Sequence, residues 1–96
     1  MRQLIPRDVL DHCAASLKVL AHPTRLRIVE LVEARRLTVG ELAKALGEPQ
    51  AVVSQHLIRM RAVDLLAVER EGRLAYYRVA NPACPAVLDC IRKNFV

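Results

Sequence analysis

The sequence predicts a small, mainly α-helical domain with a single β-hairpin, in the order helix, helix, helix, helix, hairpin, helix. Three observations carry this. Apolar residues recur at helical spacing through most of the first two thirds of the chain. A capped helix is then followed, after a short glycine-containing turn, by a second helix. Beyond residue 65 the period shortens to that of strands, around a Gly-centred turn.

Residues 8–20 place Val9, Leu10, Cys13, Ala14, Leu17 and Leu20 on one helical stripe. His22-Pro23 interrupts, and Pro23 suits the first position of a new helix. Leu26, Ile28, Val29, Leu31 and Val32 make that helix apolar over much of its circumference, which predicts a central place in the core. Arg35 and Arg36 follow at its C-terminal end, where basic side chains complement the helix dipole.

Thr38 and Glu41 have capping-box spacing, and Gly47 offers a left-handed stop. A helix over 49–63 reopens at Pro49, with Val53, Leu57, Met60 and Asp64 on one side and His56 and Val63 at the edge. Strands follow at 65–70 and 74–79, with Glu71-Gly72-Arg73 as the turn. Asn81-Pro82 ends the hairpin, and a last helix is expected over 85–94, with Ala86, Val87, Leu88, Cys90 and Ile91 apolar.

With 96 residues there is room for one domain, 1–96. The chain is 53% hydrophobic but has no Trp, and its aromatics are Tyr76, Tyr77 and Phe95. Such a thin core predicts further burial in an oligomer. No apolar run approaches the ~18 residues of a membrane span. The opening MRQLIP lacks the apolar segment of a secretory signal, so a cytoplasmic protein that does not engage a membrane is expected. A net charge of +5 invites a nucleic-acid partner. No paired carboxylates, nucleophile–base set or Gly-rich phosphate loop is present, so no catalytic residue is named and an enzyme is not expected.

The exposed side of the 49–63 helix presents Ala51, Ser54, Gln55, Ile58, Arg61 and Ala62, flanked by Gln50 and Arg59. Small residues admit a helix to the DNA major groove, Gln can pair with an adenine edge, and arginines reach guanine or phosphate. An ordinary solvated helix face would look similar. The hairpin adds Arg70 and Arg73 at its tip and Tyr76 and Arg78 on its return, a basic ribbon suited to the sugar-phosphate backbone. Tyr76 and Tyr77 point to opposite faces, so only one of them is available outside.

Four blocks, LAHPTRLRI at 20–28, LTVGELA at 37–43, VSQHL at 53–57 and YYRV at 76–79, resemble those of the ArsR-type repressors in order and spacing across about residues 15–80. The resemblance implies a winged helix-turn-helix, with the helix-turn-helix at about 38–63 and the wing at about 65–79. It implies a homodimer joined through helices at about 8–20 and 85–94, binding a dyad-symmetric operator in double-stranded DNA. It places Gln50, Ala51, Ser54, Gln55 and His56 at the DNA, and the reading of the helix face and hairpin adds Arg59, Arg61, Arg70, Arg73 and Tyr76 as further contacts. His56 also reads as a packed, hydrogen-bonded histidine. The chain departs from the family pattern at Pro49, Ala51, Ile58 and Asp64, where Ser, Ser, a basic residue and Gly are common. These departures bear on operator preference rather than on the fold. A winged-helix module that binds only proteins is the alternative.

Family metal sites are not matched. The stretch at 38–42 holds no cysteine, and the last helix offers Asp89 and Cys90 without a histidine. Cys13, beside His12, and Cys84 and Cys90 leave two readings: small apolar thiols in the dimer interface, or a soft-metal, metalloid or redox sensor. Cys84, ahead of Pro85, is expected at a helix N-terminus that favours its thiolate. The first reading is preferred, so no metal or other cofactor is expected and the effector is left open.

Overall fold

The computed structural model describes residues 2–96. Eight elements follow one another: α1 (Arg7–Leu20), α2 (Pro23–Ala34), β1 (Leu37–Thr38), α3 (Val39–Leu46), α4 (Gln50–Ala62), β2 (Leu66–Glu71), β3 (Leu74–Val79) and α5 (Ala83–Asn94). Five helices and a hairpin are as the sequence predicts. The order gains β1, which the sequence reading lacks, and the sheet has three antiparallel strands ordered β1-β3-β2.

α2 is the central helix. Ile28, Val29 and Val32 are buried, and its neighbours include α1, α3, α5 and β3. Its N-cap is His22, whose Nδ1 accepts the Thr24 amide N–H at 3.1 Å, with Pro23 in the first helical position. The core gathers Leu20, Leu37, Leu42, Val53, Leu57, Met60, Leu65 and Leu66 around it, closed by Cys84 and Leu88 of α5. α1 contributes little to this core. Only Ser16 and Leu20 are buried on it, while Val9, Leu10 and Leu17 are 43–46% exposed.

Beyond α4, three boundaries differ from the sequence reading. The wing strand starts at Leu66, since Leu65 is the buried residue that closes the turn after α4. Glu71 pairs with Leu74, so the turn is the two-residue Gly72-Arg73 rather than 71–73. Gly72 has φ +60 at the first central position, the place glycine takes in a type II′ turn. α5 begins at Ala83 rather than Pro85, because Asn81 Oδ1 accepts the Ala83 amide N–H at 2.9 Å and starts the helix earlier. Asp64, placed by sequence on the inner side of the 49–63 helix, is an exposed residue beyond its end with φ +57.

Candidate nucleic-acid interface

The turn between α3 and α4 is built from local chemistry. Thr38 Oγ1 accepts the Glu41 N–H at 3.1 Å, and Glu41 Oε1 accepts the Thr38 N–H at 3.0 Å, completing the capping box. That backbone hydrogen bond from Thr38 is the main reason the Glu41 carboxyl lies below its ordinary pKa. Gly47 stops α3 in the left-handed region at φ +66, its N–H bonding back to Lys44 O. Pro49 then acts as N-cap of α4 rather than as its first residue, and offers no side-chain cap.

On α4, Val53, Leu57 and Met60 are buried, as their spacing predicts. Gln50, Ala51, Gln55, Ile58, Arg59, Arg61 and Ala62 are exposed, and Ser54 is half-buried between the two faces. Val52 is also exposed on the first turn, a position the sequence reading did not single out. Gln50 does not simply point outward: a Cβ added at Gly40 would lie 3.5 Å from its Nε2, so the amide rests over the first turn of α3.

His56 is half-buried at the edge of α4. Its Nδ1 accepts from Nε of Arg25 at 3.1 Å, and its ring centroid lies 4.9 Å from that of His22. Burial above all, and then the nearby basic groups Arg25, His22 and Arg59, hold its pKa below the ordinary histidine value. Arg25 also donates from Nη1 to Val19 O at 2.9 Å, so one side chain of α2 ties the end of α1 to α4.

The wing sorts its arginines into two groups. Arg78 is held by Glu69, Nε to Oε1 at 2.6 Å. Arg36, which precedes β1, bridges Glu69 at 3.1 Å and Glu71 at 2.7 Å and covers the Tyr76 ring at 4.4 Å. Arg70 and Arg73 at the tip have no ion-pair partner among the described residues, and neither do Arg59 and Arg61. Tyr77 packs on the core, and Tyr76, the outer member of the pair, has one ring face occupied by Arg36. The sequence reading gave Arg25 no role and Arg36 only that of a helix-end charge. Their positions, at the first turns of α2 and just after its end, carried no local signal for partners on other elements.

The cysteines separate. Cys84 is fully buried, its Sγ donating to Leu65 O at 3.7 Å, and burial pushes its pKa up. Cys84 is at the helix N-terminus, as the second residue of α5, but the expected thiolate is corrected: burial outweighs the helix dipole and leaves a neutral packing thiol. Cys13 and Cys90 are exposed. Cys13 lines an open hollow of about 170 Å³ with His12, Leu17 and Asn81, between α1 and the approach to α5. No group of three or more His, Cys, Asp or Glu poised for a metal occurs among the described residues. No helix among them is long and apolar enough to cross a membrane.

Residues 20–69 match the family model described as a helix-turn-helix domain. The chain is 40% identical over 83 residues to the transcriptional repressor PagR of Bacillus anthracis, covering 85% of this chain and 83% of PagR. It is 41% identical over 76 residues to the transcriptional repressor SmtB of Mycobacterium tuberculosis, covering 79% of this chain but only 56% of that relative's length. The crystal structure of NolR from Sinorhizobium fredii superposes with a TM-score of 0.86 at 28% identity, over 99% of this chain and 97% of that one. A homodimeric winged helix-turn-helix DNA-binding domain of Mycobacterium bovis superposes with a TM-score of 0.81 at 27% identity, over 97% and 88%. With the fold, the capped helix-turn-helix and these relatives agreeing, the chain belongs to the ArsR-type winged helix-turn-helix family of transcriptional regulators.

Proposed function

We propose that the chain binds double-stranded DNA as a homodimer, recognises a dyad-symmetric operator through α4, and represses transcription from the promoter it covers. The observation that carries this is the sorting of the arginines. Those inside the wing are neutralised by Glu69 and Glu71, while Arg59, Arg61, Arg70 and Arg73 are left for an outside polyanion. In this reading Gln55 and Ser54 contact base edges, with Gln50 and Ala51 beside them and Ile58 meeting a thymine methyl. The arginines, His56 and the free edge of Tyr76 contact the backbone. Two relatives named as repressors support the direction of regulation.

The homodimer rests on α1. Its stripe of Val9, Leu10 and Leu17 stays open in the single chain, as do Phe95 and Val96 beyond α5, and a relative of the same fold is homodimeric. Pairing through these helices would set two copies of α4 in successive major grooves, about 34 Å apart. The site of action would be the cytoplasm, and no metal or cofactor is part of the proposal.

The test selects duplexes of about 30 base pairs, long enough for two half-sites, from a randomised pool and measures binding by fluorescence anisotropy. Gln55→Ala should relax sequence preference. Arg73→Ala should weaken binding to selected and random duplexes alike and lower the salt slope by about one per subunit. Equal losses from both changes on both duplexes would overturn the assignment of readout to α4. Selection of no sequence at all would leave the protein-binding module, which the exposed Val52 and Ile58 favour.

A further inference from the structure

The contact between Arg25 and His56 joins residues 31 apart in sequence, on two helices, at the edge of the helix that faces DNA in the reading above. We infer that Arg25 is a positioning residue for DNA binding, which fixes His56 as the neutral imidazole with its proton on Nε2 and presents that N–H to a DNA phosphate oxygen. The inference rests on the DNA-binding reading and adds to it a residue that does not itself face the groove.

A guanidinium has donors only. A ring nitrogen that accepts from it carries no proton, so the Arg25 Nε–Nδ1 bond at 3.1 Å leaves the proton of a neutral ring on Nε2. Arg25 is itself held, by its 2.9 Å bond to Val19 O. The His22 ring, whose own Nδ1 is taken by the Thr24 N–H, walls the other side at 4.9 Å. Among the described residues no buried side-chain N or O lacks a partner and none bonds Nε2 of His56, so this nitrogen is open to solvent. The groups acting on the ring are Arg25 and His22 at the start of α2, Arg59 on α4, and Glu48 in the turn before it. With three basic groups against one carboxylate, and burial as well, the ring stays neutral near pH 7.

A neutral donor to phosphate differs from an arginine contact in one measurable respect. It releases no counterion, so its loss lowers affinity without changing the slope of log K against log salt.

The experiment uses the full chain. Long-range ¹H–¹⁵N NMR of the histidine rings should show His56 fixed with its proton on Nε2 in the wild type. It should show a mixture of tautomers in Arg25→Ala, and recovery in Arg25→Lys, whose ammonium also only donates. On the duplex selected by the wild type, Arg25→Ala and His56→Asn should each bind about tenfold more weakly per subunit, the worth of one hydrogen bond to a charged group. The salt slope should not change. The double variant should bind no more weakly than His56→Asn alone. An unchanged tautomer in Arg25→Ala, additive losses, or a salt slope lowered by about one would overturn the inference. If Arg25→Ala does not fold, His56→Gln against His56→Asn decides. Gln keeps a donor near the Nε2 position and should bind DNA better, and the reverse order overturns the proposal. If the wild type selects no duplex, the DNA-binding reading fails and the phosphate contact with it. If the wild type binds and only the variants disagree, this inference alone falls.

Discussion

The guanidinium of Arg36 lies 4.4 Å from the centroid of the Tyr76 ring while its two ends reach Glu69 and Glu71 on the neighbouring strand. One planar side chain thus clasps β2, β3 and the start of β1. The hydrogen bond to Glu71 is the main reason its pKa is raised, so the clasp is fully charged at any working pH. Each exposed ion pair contributes little by itself. The joint geometry is what Arg supplies and Lys cannot, since a point charge cannot stack and bridge at once.

Arg36→Ala should therefore loosen the wing without unfolding the domain. Native-state hydrogen exchange should show lost protection in β2 and β3, with little change in α2 or α4. Arg36→Lys should restore only part of it. Equal loss of protection throughout the chain would mean that Arg36 supports the core rather than the wing.

Acid should weaken the fold through His56. Its folded pKa is lowered, so the unfolded state takes up the proton first as pH falls below the ordinary value near 6.5. The stabilising effect is complete above that value. It is lost as pH drops from there towards the folded pKa, below which both states are protonated. Urea midpoints should fall as the pH is lowered through the ordinary histidine range. His56→Asn, which cannot titrate, should flatten that part of the curve. An identical pH dependence in the variant would remove His56 from the account.

What the sequence made legible is what local chemistry decides. Thr38, Glu41 and Gly47 bracket α3 by contacts within a few residues, and the buried stripe Val53, Leu57, Met60 follows from helical spacing alone. β1 was not legible, because two residues carry no period. Leu37 and Thr38 become a strand only by pairing with Tyr77 and Tyr76, nearly forty positions on. The same holds at the interface. The outward residues of α4 could be read from the helix, whereas the partners of Arg25 and Arg36 come from elements that only the folded chain brings together. Cys84 does stand at the start of α5, as its place ahead of Pro85 suggested, but its burial against Leu65 depends on the fold and not on local sequence.

Asp64 explains a departure from the family pattern in physical terms. It has φ +57, the left-handed region that favours glycine, and follows α4 at the turn into the wing. Glycine at this position is therefore a backbone requirement, which aspartate meets at some strain because its short polar side chain tolerates that region. Asp64→Gly should stabilise the fold by up to about 1 kcal/mol, the relief being partly offset by the greater freedom of glycine in the unfolded chain. Asp64→Val should destabilise it, since a β-branched residue fits that region worst. Thermal midpoints of the two variants on either side of the wild type would bear this out, and a stabilised valine variant would refute it.

Cys84 should behave as a core residue towards thiol reagents. Its side chain is fully buried and its pKa is raised by that burial, so little thiolate is formed and none is accessible. In a Cys13→Ser/Cys90→Ser variant, the remaining thiol should react with a disulfide reagent only at the rate at which the domain opens. It should react at once in denaturant. Cys84→Ala should lower stability without altering DNA affinity at a given temperature, because the thiol is a buried packing group bonded to Leu65 O. Rapid modification of Cys84 in the native protein, accompanied by release of DNA, would restore it as a sensor and require that the start of α5 opens on its own.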